Sequence, residues 1–572
     1  MNCAETSVNS GIEYAPPEGH MSGANRLMVS RRELILAAGA LACVSATANP
    51  ADAARDAGLP VRKAPPGHVH RNFGYGASAN HPAAVDAARR VRLQGGGVFD
   101  MYLAALAVAW VVDPANCSPF GRMQGLYLSN GKYSCLHAAT QLRSEAGSTV
   151  PCPGNVPAYF HLQSSGRLRL SMASILAPAL AIARKGFRPT DALRVAIRSS
   201  AGEMHPEMRT IYMDDGGQVR SDVRNPQLAE FLEVLGRMPD EGALWDELYA
   251  REPGPWRRNE LPTNAPRESL PKELVLRGLD GRTYQLHTTG NLETWGTWTL
   301  LSAAVTADLQ ASGTLSTLEA AAEAYLLATI LVLDRIPFRV GTLKPKTANP
   351  SIDVDLQYES RVIAERVRKL LAASRADLWA DLDRTYFSGG ASNTDDRNTN
   401  AFAFAVNDDF LSFTTSMGPW FGSKRSWFGA GLAYSYAMKS GQLFTGQTHD
   451  ATEMSSLIVE RDGRPWLAMG AAGSERIFGA LTYLLHLKLG LNCRGDMADL
   501  MMMPRLFPKD SKVRIHSDMP RSVQQHLVGR GFTLAATSYD LEKHLGIVNL
   551  VEQVRPGVFR SGADPSGDGG AL

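Results

Sequence analysis

The chain has 572 residues, long enough to bury large cores, so its size sets no obstacle to an enzyme. Hydrophobic residues at 44% and charged residues at 20% are ordinary for a globular protein. A formal net charge of +2 offers no electrostatic attraction for a polyanion and argues against nucleic acid as a partner.

Near the start, Ser30-Arg31-Arg32-Glu33-Leu34-Ile35-Leu36 leads into an apolar, Ala-rich run to Val44, followed by Ala46-Thr47-Ala48 and Ala51-Asp52-Ala53. Paired arginines, a short apolar stretch and small-x-small sites are the order of an export signal of the twin-arginine type, predicted over residues 1–53. The run is too short to span a bilayer comfortably, so no stable membrane insertion is expected. A periplasmic or secreted bacterial protein follows, and Met21 offers an alternative start with a more usual signal length. Removal of the signal leaves Cys117, Cys135, Cys152 and Cys493; an oxidising compartment permits disulfides, three pairings are possible, and free buried thiols are the equal alternative.

Residues 54–80, rich in Pro, Ala and Gly, predict an extended N-terminal arm. Within it His68-Val69-His70 sets two imidazoles on one face with no third ligand at metal spacing nearby, so no metal is expected. From His81 to Val112 the pattern is helical, broken by Gly95-Gly96-Gly97 and restarted by Asp100; Val98 to Val112 is apolar nearly all round, the mark of an interior helix. Helical periodicity returns over Ala173–Lys185, Gln227–Leu235, Trp298–Asp308, Leu318–Asp334 and Ile352–Ser374, and strand-like runs dominate from Thr399 to Val459. Together these predict a layered α+β fold.

Phe387 to Asn400 is turn chemistry with almost no apolar content, expected to be an accessible loop. After it, Phe402, Phe404 and Val406 alternate with Ala401, Ala403 and Ala405, Asn407-Asp408-Asp409 turns the chain, and Phe410 to Ser416 returns. This predicts a buried hairpin with one bulky and one small face, the latter open to a second layer or a substrate.

From His81 to the C-terminus the chain resembles the γ-glutamyltransferase family of N-terminal-nucleophile hydrolases. The resemblance runs, in order, through Asn80-His81-Pro82, Leu93-Gln94-Gly95-Gly96-Gly97-Val98-Phe99-Asp100, Val111-Val112-Asp113-Pro114, Val150 to Val156, Leu176 to Phe187, Asn398-Thr399, Phe421-Gly422-Ser423, Gly470 to Ile477, Pro504-Arg505-Leu506-Phe507 and Gly557 to Ala571. It implies a four-layer αββα sandwich made by two chains cut from one precursor between Asn398 and Thr399. The large subunit would be 81–398 and the small one 399–572. It also implies that Thr399 is the nucleophile and that Ser416 stands where the family has a hydroxyl steadying it. Gly473 and Ser474 would supply the backbone N–H groups that stabilise an oxyanion. No cofactor or metal is implied.

The chain departs from the family where substrate would sit. Asn400 and Ala401 replace a small hydroxyl residue and a histidine; the carboxylate-gripping arginine gives way to His137-Ala138-Ala139-Thr140, with Arg143 a few residues late. The family's asparagine, glutamine and amino-gripping aspartate fall on Gly418, Ala437 and Ser440, and its paired serine on Thr452-Glu453. Arg143, Ser440, Thr452 and Glu453 are therefore the substrate-binding candidates. The cluster Trp420, Phe421, Trp427 and Phe428 suits either an apolar wall over the site or core packing. Loss of one partner of a desolvated charge pair costs ~2–5 kcal/mol, and two such grips are missing, so glutathione is a poor substrate. An amide of a metabolite, peptide or acylated natural product is the expected small partner. The alternatives are a binding protein that keeps the fold without turnover, or a γ-glutamyl hydrolase with a rearranged pocket; a conventional serine hydrolase lacks its Gly-x-Ser-x-Gly.

Overall fold

Strand Thr399–Val406 is buried along its whole length, and its alternation decides which layer meets which face. Phe402, Phe404 and Val406 pack into a helical layer, where the ring of Tyr102 lies 5.5 Å from Phe402 and 4.7 Å from Phe413 of the returning strand. The opposite face, Ala403 and Ala405, lies with Phe410 against Ile458, Ala468, Val551 and Phe559 of a second sheet. Each buried aromatic or large aliphatic side chain contributes ~1.5–3 kcal/mol, and a one-residue slip would turn the phenylalanines onto the small-residue face, so the pattern fixes the register. The hairpin expected from the sequence is the centre of the molecule.

The computed structural model describes residues 59–143, 149–261, 264–291, 293–337, 353–382, 399–435, 437–438, 447–509, 512–539 and 544–572. The predicted signal, Asn398 and Ser440 lie outside them. One seven-stranded sheet runs Val69–Phe73, Val558–Ala563, Ile547–Arg555, Arg464–Ala472, Ser456–Arg461, Thr283–Thr288, Lys272–Arg277, with every neighbouring pair antiparallel. The other runs Gly570–Ala571, Tyr75–Ala79, Thr399–Val406, Asp409–Ser416, Arg122–Ser129, Lys132–Ala138, Arg267–Ser269, again antiparallel throughout. Helices Gly296–Ala311, Leu318–Arg335, Leu356–Ala372 and Glu475–Leu485 share a core with the first sheet; Pro82–Leu93, Val98–Val112, Met172–Lys185 and Pro226–Arg237 share one with the second. The result is an α+β fold with two face-to-face antiparallel sheets between helical layers.

The glycine-rich start of helix Val98–Val112 has a physical reason. Buried Asp100 accepts from the Gly97 amide at 2.9 Å and from the Arg169 and Leu170 amides at 3.0 and 2.9 Å, tying the helix to the segment before Met172–Lys185. A Cβ on Gly96 would lie 2.8 Å from Val91, so only glycine lets the two helices turn that closely. One expectation changes and one open alternative is decided. Part of the predicted extended arm forms two strands, Val69–Phe73 and Tyr75–Ala79, one in each sheet. The four described cysteines are all free and buried rather than paired.

Candidate active site

Thr399 is the first residue of its strand and 2% exposed. Its side chain shares the inter-sheet face with Ala403 and Ala405, because residues two apart on a strand point the same way. Thr399 pairs with Ser416, and Ser416 pairs on its other side with Arg122, so three polar side chains stand in one row across three strands. Ser416 Oγ accepts from the Gly418 amide at 3.1 Å.

The strand end is clamped from the flank. Asn80 Oδ1 accepts from the Ala401 amide at 3.0 Å and from Asn549 Nδ2 at 2.6 Å, while its Nδ2 donates to the Thr399 carbonyl at 3.4 Å. On the other face, Asn400 Nδ2 donates to Asp113 at 2.9 Å, anchoring the strand to the end of helix Val98–Val112. The backbone of Thr399 is thus set by side chains that sequence reasoning left without roles, although Asn80 and Asp113 both lie in the stretches that resemble the family.

Across the sandwich, a Cβ on Gly470 would lie 3.5 Å from Ala401 Cβ, and Ala468 packs with Ala403 and Ala405. That progression carries the turn after Ala472 to the Thr399 end. There Gly473 has φ +125° and Ser474 φ 56°, ψ −133°, before helix Glu475–Leu485 begins. A Cβ on Gly473 would fall 2.5 Å from His544 Cε1, so glycine is required at that position. The amides of Gly473 and Ser474 make no hydrogen bond among the described residues. Two unpaired N–H groups at a helix N-terminus are chemically suited to an anionic oxygen.

The other predicted residues divide. Glu453 is buried within electrostatic reach of Arg122 and Glu475. Burial, with Glu475 adding, pushes its carboxyl up to about 7 against the pull of its own backbone amide, Lys509 and Arg122. Thr452 is occupied in a turn, its amide and hydroxyl both donating to the Glu293 carbonyl at 3.0 and 3.1 Å. Arg143 is held by Glu260 at 3.2 Å and by the Pro255 carbonyl at 3.2 Å. Trp427 is core, packed against Phe120, Trp245 and Trp256; Phe421 packs on Tyr212, while Trp420 lines a pocket with Asn80, Asp113 and Asn116. Arg122 and Gln124 were missed: polar residues alternating along a strand read as a solvated face, and only the facing sheet makes them interior.

A buried inter-sheet row of Thr399, Ser416 and Arg122 facing a turn with open amides suits the hydrolysis or transfer of acyl groups from amides. The chain belongs to the gamma-glutamyltranspeptidase family of N-terminal-nucleophile hydrolases, whose profile matches residues 94–250 and 347–572. It is similar to the acylase ACY 1 proenzyme of Pseudomonas sp. (strain V22), 23% identical over 521 residues that cover 79% of this chain and 86% of that one. In fold it is similar to the cephalosporin acylase of Bacillus halodurans, with a TM-score of 0.68, 18% identity, and 90% of this chain and 97% of that chain covered. LmbA2991HD is similar at a TM-score of 0.66 and 17% identity, covering 89% and 99%.

Proposed function

We propose that the precursor cuts itself before Thr399 and that the freed threonine attacks an amide carbonyl. The observation that carries this reading is the position of Thr399: first in its strand, in line with Ser416, at the end of the sandwich that the unbonded Gly473 and Ser474 amides occupy. A threonine hydroxyl is a poor nucleophile at neutral pH and needs a base. The α-amino group that cleavage creates has an expected pKa of ~7.7–8.0, so a useful fraction is neutral and can take the proton. The carbonyl oxygen, as it gains charge, is met by the two amides, each such donor typically contributing ~2.7–4 kcal/mol to the transition state. Ser416 steadies the threonine. The amine leaves with a proton, and water or a second amine resolves the ester on Thr399.

The substrate is an amide of a metabolite, peptide or acylated natural product other than glutathione, bound by residues including Glu453. The Arg31-Arg32 segment supports export before the enzyme acts. Intact-mass spectrometry of purified protein should find two chains, the smaller beginning at Thr399. Thr399→Ala protein should remain one chain and release no amine from any amide that the unaltered protein cleaves. A Thr399→Ala protein that still splits before that position, or an uncut chain with full activity, overturns the mechanism.

A further inference from the structure

Beside the nucleophile row stands a group of buried polar side chains whose bonding capacity the fold leaves unfilled. Gln124 lies two residues along from Arg122 on the same inter-sheet face, 1% exposed, and both its amide oxygen and its amide nitrogen are without partners among the described residues. Arg122 donates through Nη2 to the Tyr434 carbonyl at 2.7 Å and pairs through Nη1 with Asp450 at 3.6 Å, but its Nε is unbonded. Glu453 Oε1 is unbonded as well, and so is Nδ1 of His137, the residue paired with Gln124 on the next strand. Buried polar groups are normally satisfied, and several left open in one place need a polar occupant.

Charge decides what kind. Arg122 is already paired with Asp450 at 3.6 Å, and of the charged groups acting on Glu453 the cations Arg122 and Lys509 are opposed by the anion Glu475. A further charge on a ligand would be buried without a counter-ion, whereas a neutral group carrying both a donor and an acceptor would meet the open atoms of Gln124, Arg122 and Glu453. We propose that Arg122, Gln124 and Glu453 form the acyl subsite and select amides whose acyl chain ends in an uncharged carboxamide. Its oxygen accepts from Arg122 Nε–H and the Gln124 amide, and its NH₂ donates to Gln124 Oε1 and Glu453. The inference rests on Thr399 as the attacking residue, since that places the acyl chain here.

The test uses three p-nitroanilides of nearly equal shape, those of 3-carbamoylpropanoic, succinic and 4-methylpentanoic acids, with the full chain at pH 7. Calorimetry measures binding, and p-nitroaniline release measures turnover. The carboxamide is expected to bind roughly ten-fold tighter than either of the others. In Gln124→Met that preference should fall to within about two-fold without loss of melting temperature, because the change removes an unpaired buried amide. Equal binding of the three, binding of none, or a Gln124→Met protein that melts earlier with its preference intact overturns the subsite and leaves those atoms to water. Selective binding without p-nitroaniline release sinks the Thr399 reading and keeps the subsite; release without selectivity does the reverse.

Discussion

Ser474 holds a backbone conformation, φ 56° and ψ −133°, that strains any residue with a Cβ, and it does so between a strand and a helix. If only its amide serves the reaction, Ser474→Gly should gain ~1 kcal/mol of stability and keep amine release within about three-fold. A fall of several orders of magnitude would instead assign the chemistry to the serine hydroxyl, since a strained serine at a strand-to-helix turn also has the backbone of a nucleophile elbow. Glu453 gives a second residue-scale expectation. Its carboxyl is raised from the usual 4.5 to about 7, so the folded protein holds a proton there that the unfolded chain has lost. Its contribution to stability is therefore complete below about pH 4.5 and fades as pH rises through about 7. Each pKa unit is ~1.4 kcal/mol, so Glu453→Gln should flatten the fall in melting temperature between pH 5 and 8 by an amount corresponding to ~2–3 kcal/mol. Thermal scans across that range check it; an unchanged slope would mean the carboxyl reaches water.

Strand Thr399–Val406 and its partner show what the sequence made legible and what it did not. Alternating Phe and Ala over Ala401 to Val406 identifies a two-faced strand, and its turn fixes the return, so the Thr399–Ser416 pair is readable from the sequence. The long helices are readable for the same reason, because their apolar stripes repeat over several turns. Tyr75–Ala79 is not: Gly, Ala and Ser carry no strand preference, and the segment is a strand because small residues alone fit there, a Cβ on Gly76 falling 2.5 Å from Val551. Arg122 and Gln124 escape notice because their burial comes from the facing sheet, not from their own strand. Asn80 links these elements, and Asn80→Ala would strip the Ala401 amide and Asn549 of their acceptor together. A loss of ~2–4 kcal/mol is expected, with kcat falling more than KM rises because Thr399 is displaced while the acyl subsite stays. Denaturant titration and steady-state kinetics on one substrate measure both, and a stable variant with unchanged kcat would remove Asn80 from the positioning of Thr399.

At the scale of the whole molecule, the proposed cut before Thr399 would fall in a chain whose two parts both contribute strands to each sheet. In the first sheet Val69–Phe73 borders Val558–Ala563, and Thr283–Thr288 borders Ser456–Arg461; in the second Tyr75–Ala79 lies between Gly570–Ala571 and Thr399–Val406, and Arg122–Ser129 borders Asp409–Ser416. Neither part owns a complete sheet, so neither can pair its edge strands or close its core without the other. Two consequences can be measured. The cut protein should elute as one species in native size-exclusion chromatography and separate into two chains only under denaturant. Residues 399–572 expressed alone should lack cooperative melting, while co-expression with the preceding part should restore it and, with it, amine release, since Asn80, Asp113 and Arg122 come from one part and Thr399, Ser416 and Glu453 from the other. Chains that part under native conditions, or an isolated second part that melts cooperatively, would mean that the strands from the first part are dispensable to the fold and that the nucleophile is positioned without them.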